Sequence, residues 1–159
     1  MPRNKQNSNE GIKSILKDPR FADKIILKDM LPVKMSTVIM DFAKPLLGKI
    51  DLTNKSVVKK TIQTAIEVWN YSIVIDKACI EAGAADNMIY RKALAGIAKT
   101  KLTSRINMTD YLGLLDRKKT LYPDNRYFVI EHNVRWSNDD RQMHLAVVTG
   151  DASKALLEK

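Results

Sequence analysis

"LLDRKKTLYPDNRYFVIEHNVRW", residues 114–136, contains the point at which the hydrophobic period of the chain changes. Before this point apolar residues recur every three or four positions, which is typical of amphipathic helices; after it they recur every second position, which is typical of a half-buried strand. Pro123 stands at the change and favours the end of a helix, because the residue before a proline is steered away from helical conformation. The sequence therefore predicts helices first and β-structure last.

The clearest helical pattern is "SVVKKTIQTAIEVWNYSIV", residues 56–74. Its apolar stripe consists of Val58, Ile62, Ala65, Ile66, Trp69 and Ile73. The opposite side carries charged and polar residues, so we expect this helix to bury one face. Trp69 is the largest side chain of the stripe and is predicted to anchor the core of the helical part.

Shorter helices are predicted before this segment. Apolar groups at residues 12–16 and 21–31 each end at a proline. Ser36 is predicted to cap a third helix, because serine oxygens accept hydrogen bonds from the free N–H groups of a first turn. Pro45 is expected to kink or end that helix, since proline removes one of its internal hydrogen bonds.

Two further helices are predicted between the clearest helix and the change of period. Asp86 or Asn87 begins the first, and Thr109 is predicted to cap the second. The apolar residues of the first are Met88, Ile89, Ala93, Leu94 and Ile97, and those of the second include Tyr111, Leu112 and Leu115.

The apolar residues near the C-terminus alternate along two segments, which predicts a β-hairpin. With a turn inside residues 137–140, Val134 pairs with Met143 and Ile130 pairs with Val147. Both apolar sets then share one face, as a hairpin that buries one side requires.

Because two strands alone are only marginally stable in water, the predicted class is α+β. A mainly helical N-terminal two-thirds, residues 12–121, is expected to pack against a C-terminal antiparallel β-hairpin at 126–149. A single domain would cover 12–159, including a short C-terminal segment at 150–159. Residues 1–11 are polar and predict a flexible tail.

Composition is that of a soluble globular protein, with 45% hydrophobic and 28% charged residues in a chain of 159. No apolar run approaches the roughly 20 residues of a membrane-spanning helix, and the first residues lack the apolar core of a secretory signal. We therefore expect a cytoplasmic protein without a membrane partner. Cys79 is the single cysteine, which excludes a disulfide within one chain and favours a buried structural thiol.

The charge of the chain is unevenly distributed. The formal net charge is +9, and residues 1–60 hold 13 basic against 6 acidic side chains. Such a field favours anionic partners through steering and counterion release. RNA or DNA is the partner that this distribution predicts first.

Five residues around the change of period form the candidate nucleic-acid-binding site: Arg117, Lys118, Lys119, Tyr122 and Arg126. The cations would contact phosphates, and the tyrosine would stack on an unpaired base. A structural alternative accounts for the same residues, because cations at the C-terminus of a helix complement its dipole. Spacing alone does not decide between the two interpretations.

Four residues of the hairpin form a second candidate cluster: Glu131, Asn133, Arg135 and His144. Alternation along the strands places them on one face, where they would bind a small anion or the edge of a partner. A solvated outer face is the structural alternative. No glycine-rich phosphate loop or nucleophile elbow occurs in the sequence, so we predict no catalytic residue, no metal ligand and no cofactor.

Three segments resemble a pattern found in small bacterial proteins of unknown function: "DFAKPLL" at 41–47, "VWN" at 68–70 and "DRKKTLYPDNRYFV" at 116–129. In that pattern a helical half with a Phe-Ala-x-Pro-Leu segment and a Trp-Asn pair is followed by a lysine-rich helix end and a hairpin. The resemblance implies the architecture only and carries no activity with it.

The function expected from these observations is that of a small cytoplasmic, non-enzymatic binding protein that contacts nucleic acid through basic residues. The first alternative is a protein–protein interaction module or the subunit of a homo-oligomer, which would use the free hairpin edge or an exposed apolar patch. The second alternative is a hydrolase built on the face that carries Glu131 and His144.

Overall fold

The computed structural model describes residues 34–151. The predicted tail at 1–11, the helices predicted at 12–16 and 21–31, and residues 152–159 lie outside the described part. Within it the elements are α1 Met35–Leu47, α2 Lys55–Glu81, α3 Met88–Thr100, α4 Met108–Leu121, β1 Tyr127–Trp136 and β2 Met143–Asp151. Helices precede a two-stranded antiparallel sheet, so the predicted α+β class is confirmed.

The described chain divides into two compact units. One unit consists of residues 41–126, with the end of α1 and all of α2, α3 and α4. The other contains residues 34–40 and the hairpin at 127–151. Each unit has buried apolar side chains of its own.

Asparagine side chains begin three of the helices. The amide oxygens of Asn54, Asn87 and Asn107 accept the backbone N–H of the residue three positions later, at 3.2, 3.0 and 2.7 Å. These are the N-cap bonds that short polar side chains make best. Asn87 is one of the two predicted start residues. Thr109 and Ser36 were predicted as caps but lie inside α4 and α1, because each helix begins one or more residues earlier.

Trp69 anchors the core of the helical unit, as predicted. Its side chain is fully buried, and Phe42 of α1 contacts its ring edge-to-face with centroids 5.2 Å apart. Such a pair contributes about 0.5–1.5 kcal/mol beyond the burial of its area. Tyr111 of α4 is also buried, and its hydroxyl donates to the carbonyl of Ala95 in α3 at 2.7 Å. Cys79 is buried as expected.

Helix α3 buries small residues and exposes large ones. Its buried residues are Ala95 and Ala98, whereas Ile89 is 83% exposed and Ile97 is 55% exposed. Alanine leaves room for the close approach that lets Tyr111 reach the backbone of α3. Of the large apolar residues that identified this helix in the sequence, Met88, Ile89 and Ile97 therefore lie on its exposed side, whereas Leu94 is half-buried.

The hairpin register differs from the prediction by two residues. Val134 pairs with Leu145 and not with Met143, so the predicted pairing is wrong. The connection is longer than predicted, and the N–H of Ser137 donates to the carbonyl of Gln142 at 2.8 Å across it. Because an offset of two preserves the pleat, Val134 and Leu145 still share one face, and both are buried.

Side chains of the connection account for its length. The backbone N–H of Gln142 donates to Oγ of Ser137 at 3.1 Å, and the N–H of Arg141 donates to Oδ1 of Asp139 at 3.1 Å. Asp140 has a φ of 59°, a left-handed conformation that aspartate tolerates better than most residues. These local bonds favour a six-residue loop, residues 137–142, over the tighter turn that the alternation of apolar residues predicted.

A β-bulge at Ile130 changes which residues face inward. The register shifts there, so Val129 pairs with Thr149 and is buried, while Ile130 is 46% exposed. The predicted pair of Ile130 with Val147 is wrong because the two-residue offset pairs Val147 with His132. The bulge then adds a residue to one strand only and takes Ile130 out of the register. Gly150 makes room for the displaced side chain, since a Cβ there would lie 2.7 Å from Cδ1 of Ile130.

Candidate functional site

Arg117 of α4 supports the end of α1. Pro45 has no N–H, so the carbonyl of Asp41, four residues earlier, has lost its partner within the helix. Nη2 of Arg117 donates to that carbonyl at 2.8 Å and lies 3.4 Å from the Asp41 carboxylate. Arg117 therefore replaces the bond that the proline removes, and α1 continues to Leu47 where an end at the proline was one prediction.

Tyr122 is held by contacts within the helical unit. Its hydroxyl donates to the carboxylate of Asp41, and its ring lies 5.7 Å from that of Trp69. The Tyr122 hydroxyl, with a smaller contribution from Arg117, holds the pKa of Asp41 below its ordinary value. Burial and the bond to Asp41 raise the pKa of Tyr122 to about 12.

Lys118 is buried, with 1% of its surface exposed. Its Nζ donates to the carbonyl of Tyr122 at 2.7 Å and lies 4.8 Å from the centroid of the Trp69 ring, a cation–π geometry. Burial lowers the pKa of Lys118 to about 8, although the charge of Asp76 opposes the shift. Lys118 forms no ion pair with a carboxylate among the residues that the structure describes.

The structure therefore separates the predicted nucleic-acid-binding residues into two groups. The interpretation of Lys118 as a surface cation is wrong, because its ammonium is buried at the C-terminus of α4, where it satisfies a terminal carbonyl as the structural alternative required. Arg117 and Tyr122 are half-buried and engaged within the unit. Lys119 and Arg126 are exposed and are the members of the cluster that face solvent.

The residues of the second predicted cluster share one face of the hairpin. Glu131, Asn133 and Arg135 alternate along β1, and His144 lies opposite Arg135 in β2. The three β1 residues are exposed and His144 is half-buried. The structure therefore places them side by side on one face of the hairpin.

A pocket of about 230 Å³ lies between α2, α3 and α4, and we name it the Lys118 pocket. Its buried lining residues include Ser72, Ile75, Ala95 and Lys118. At its rim lie the exposed residues Lys92, Lys119, Leu112 and Asp116. Asp76 and Arg91 also line it and form an ion pair with each other. An apolar cavity with few polar groups is the usual form of a small-molecule site.

Exposed apolar side chains on α3 form a second feature that the sequence did not predict. Ile89, Ala93 and Ile97 follow at intervals of four residues and are all exposed. With Gly96 beside them they form what we name the α3 outer face. Contiguous exposed apolar surface on a soluble protein marks an interaction site more often than single exposed residues do.

Signals for both features were present in the sequence. Tyr111, Leu114 and Lys118 follow at spacings of three and four, which places the lysine on the buried stripe of α4. Ala95 and Ala98 mark the packed side of α3 in the same way. The sequence interpretation assigned large apolar residues to the core and therefore missed these positions. Lysine is seldom buried, and a small alanine indicates burial less strongly than an isoleucine does.

In residues 34–151, histidine, cysteine, aspartate and glutamate side chains form no group of three that would hold a metal ion. Within the same range no helix combines the length and the apolar character needed to span a bilayer. Comparison with protein-family models, curated proteins and solved structures finds no match for this chain.

Proposed function

We propose that the protein is a non-enzymatic assembly subunit that associates with a second copy of itself through the α3 outer face. The observation that carries the proposal is the exposure of Ile89, at 83%, in line with Ile97, at 55%. Leaving two isoleucines in water on one helix face forgoes about 1.5–3 kcal/mol of transfer free energy per side chain. A partner that covers the two isoleucines recovers this free energy.

The spacing on α3 suits an antiparallel pair of identical helices. In a two-fold pair centred on Ala93, Ile89 of one copy lies beside Ile97 of the other, because both are four residues from the centre. Ala93 and Gly96 are small and permit helix axes at the short end of the usual 8–10 Å range. Such a contact is self-complementary and closes at two copies.

Charge at the two ends of α3 favours the same arrangement. Asp86 precedes the helix and is exposed, whereas Lys101 follows it and is exposed. An antiparallel pair brings Asp86 of one copy to the end that carries Lys101 in the other. A parallel pair would align both helix dipoles and place like charges together, which makes the antiparallel second copy the better occupant.

Sedimentation velocity over a concentration series tests the proposal. Wild-type protein is expected to shift from monomer to dimer, and Ile89→Glu and Ile97→Glu are expected to remain monomeric, because each buries a carboxylate without a partner. Leu52→Glu is the matched control, since Leu52 is 61% exposed and lies outside α3. A wild-type monomer at every concentration overturns the proposal, as does loss of the dimer in the Leu52 variant.

A charge exchange tests the orientation. Asp86→Lys alone and Lys101→Asp alone are each expected to weaken the dimer by about fivefold, because two-fold symmetry removes two exposed ion pairs of about 0.5 kcal/mol each. The double variant restores opposite charges at both ends and is expected to dimerise like the wild type. Additive weakening in the double variant contradicts the antiparallel arrangement.

A second candidate function, contact with RNA or DNA, is supported by the start of α2. Lys55, Lys59 and Lys60 are exposed there, and no acidic residue occupies the first turn. Cations at a helix N-terminus add to the positive end of the dipole, so this end attracts anions. In described residues Lys119 and Arg126 contribute further exposed charge.

Filter binding at low and at high salt tests this candidate. Retention of RNA or DNA at low salt should fall steeply as salt rises, in proportion to the phosphates contacted. Lys59→Glu with Lys60→Glu should weaken retention more than Arg141→Glu, a reversal at an exposed residue of the hairpin loop. Absence of retention at low salt ends the candidate.

A further inference from the structure

Within residues 34–151 the charge of Lys118 has no carboxylate partner in an ion pair. The ammonium has three donors, of which one reaches the carbonyl of Tyr122, and one side of the group faces the Trp69 ring. A buried charge that is neither paired nor fully hydrogen-bonded is costly. An anion placed beside Nζ would supply the charge that the described residues do not.

The Lys118 pocket gives such an anion a place to enter. Lys118 shares its buried lining with Ile75 and Ala95, so a molecule that enters meets apolar side chains and a buried lysine. The charge of this lysine interacts with that of Asp76, which lines the same pocket. The pocket lies within the helical unit, and its walls come from three helices of that unit.

The charged groups around the pocket favour an anion over a cation. The cationic lining residues are Arg91, Lys92, Lys118 and Lys119, and the anionic ones are Asp76 and Asp116. Arg91 and Asp76 neutralise each other as an ion pair, which leaves three cations and one carboxylate. A ligand with one negative charge is therefore attracted to the rim and paired inside.

The volume limits the size of the ligand. A cavity of about 150 Å³ holds benzene, with six non-hydrogen atoms. A pocket of about 230 Å³ therefore suits a molecule of roughly nine non-hydrogen atoms by the same measure. Benzoate and heptanoate have that size, with an apolar body and a single carboxylate.

We infer that the Lys118 pocket binds a small apolar monocarboxylate, whose carboxylate pairs with the ammonium of Lys118 and whose hydrocarbon part lies against Ile75 and Ala95. This site is separate in kind from the α3 outer face, and it goes beyond self-association, since a monomeric variant of α3 would still contain the pocket.

Calorimetric titration of the full chain with benzoate tests the inference. Benzoate is expected to bind at one site, and benzyl alcohol, a neutral molecule of similar shape, is expected to bind at least tenfold more weakly, because it cannot pair with the ammonium. Equal affinity for the two probes, or no heat with benzoate and heptanoate, overturns the inference.

Two variants locate the site. Lys118→Met is expected to remove the preference for benzoate over benzyl alcohol, whereas Lys119→Met, a change at an exposed neighbour, should leave most of it. Ala95→Val keeps the lysine and narrows the pocket, so it is expected to lower the affinity for both probes; circular dichroism verifies that each variant is folded. Benzoate binding that survives both Lys118→Met and Ala95→Val contradicts the assignment.

The pH dependence of binding adds an independent readout. Benzoate stays ionised above neutrality, while Lys118 loses its proton near pH 8 in the free protein. Affinity should therefore fall by up to tenfold per pH unit between the pKa of Lys118 in the free protein, about 8, and its higher pKa in the complex. The charges that act on Lys118 are those of Asp76, Asp124 and Arg126. Affinity that is constant from pH 7 to pH 10 overturns the pairing with Lys118.

Discussion

Helices α2 and α3 have similar apolar patterns in the sequence but opposite relations to the core. Of the predicted stripe of α2, Val58, Ile62 and Trp69 are buried almost completely. In α3, by contrast, Ile89 and Ile97 are among the exposed large apolar residues of the described chain. Hydrophobic period thus identifies a helix, whereas the side that it buries depends on which residues its neighbours can approach.

The largest expected effect contrasts a buried residue of α2 with an exposed residue of α3. Trp69→Ala should lower the free energy of unfolding by about 3–5 kcal/mol, because it removes a fully buried aromatic side chain and leaves a cavity. Ile89→Ala should change it by less than about 0.5 kcal/mol, the usual range for surface substitutions. Urea unfolding at a concentration where the chain is monomeric measures both. Similar losses in the two variants would show that α3 is packed as α2 is.

The next effect concerns the lysine beside Trp69 and its dependence on pH. The pKa of Lys118 is about 8 in the folded protein against an ordinary 10.5. Below pH 8 Lys118 is protonated in both the folded and the unfolded chain, and the folded protein bears the full free-energy cost of the buried ammonium. Between pH 8 and 10.5 the unfolded chain binds more protons, so the stability of the wild type should rise by about 3 kcal/mol relative to Lys118→Met.

Urea unfolding from pH 7 to pH 10 checks this rise. Comparison with Lys118→Met cancels the contributions of Tyr111 and Tyr122, whose pKa values of about 12 reduce stability at alkaline pH in both proteins. Lys119→Met is the matched control, and its free energy of unfolding should differ from that of the wild type by an amount that does not vary with pH. A constant difference for Lys118→Met would contradict a buried ammonium.

A smaller effect is expected where α4 supports α1. Arg117→Met leaves the carbonyl of Asp41 without a donor and should cost about 1–3 kcal/mol. In a Pro45→Ala background the alanine N–H is available to that carbonyl, so the same arginine substitution should cost less. A double-mutant cycle measured by urea unfolding gives the coupling. Equal costs in both backgrounds would mean that Arg117 acts only through the Asp41 carboxylate.

The smallest effect concerns the caps of the two compared helices. Asn54→Ala and Asn87→Ala should each cost about 1 kcal/mol. In the Asn87 variant backbone amides should exchange faster throughout α3, because this helix has 13 residues and its buried residues are two alanines. In α2, with 27 residues, faster exchange should stay within the first turns. Equal spreading in both variants would contradict the weaker anchoring of α3.

The helices, their order, the change to a hairpin and the anchor Trp69 could be predicted from the sequence, since each depends on a local period or on one large apolar side chain. The hairpin register could not, because an offset of two leaves the apolar faces unchanged and the loop bonds of Ser137 and Asp139 decide it. The bulge at Ile130 is accommodated by the space that Gly150 leaves for the Ile130 side chain, which no period reveals.

The candidate site was harder to predict than the fold. Spacing placed Arg117, Lys118 and Tyr122 in one short segment, but their roles depend on Asp41 and Trp69, which are distant in sequence. A lysine is assigned to the surface by its residue type, and only the stripe of Tyr111 and Leu114 indicated otherwise. The pocket needs three helices in place before it exists.

The bond between Arg117 and Asp41 also constrains the order in which the chain folds. The two residues are 76 positions apart, so the last turn of α1 obtains its missing donor only after a long loop has closed. Up to that moment the proline leaves this turn one hydrogen bond short. The end of α1 should therefore form after α4 has docked, and Arg117 should influence the unfolding rate more than the folding rate.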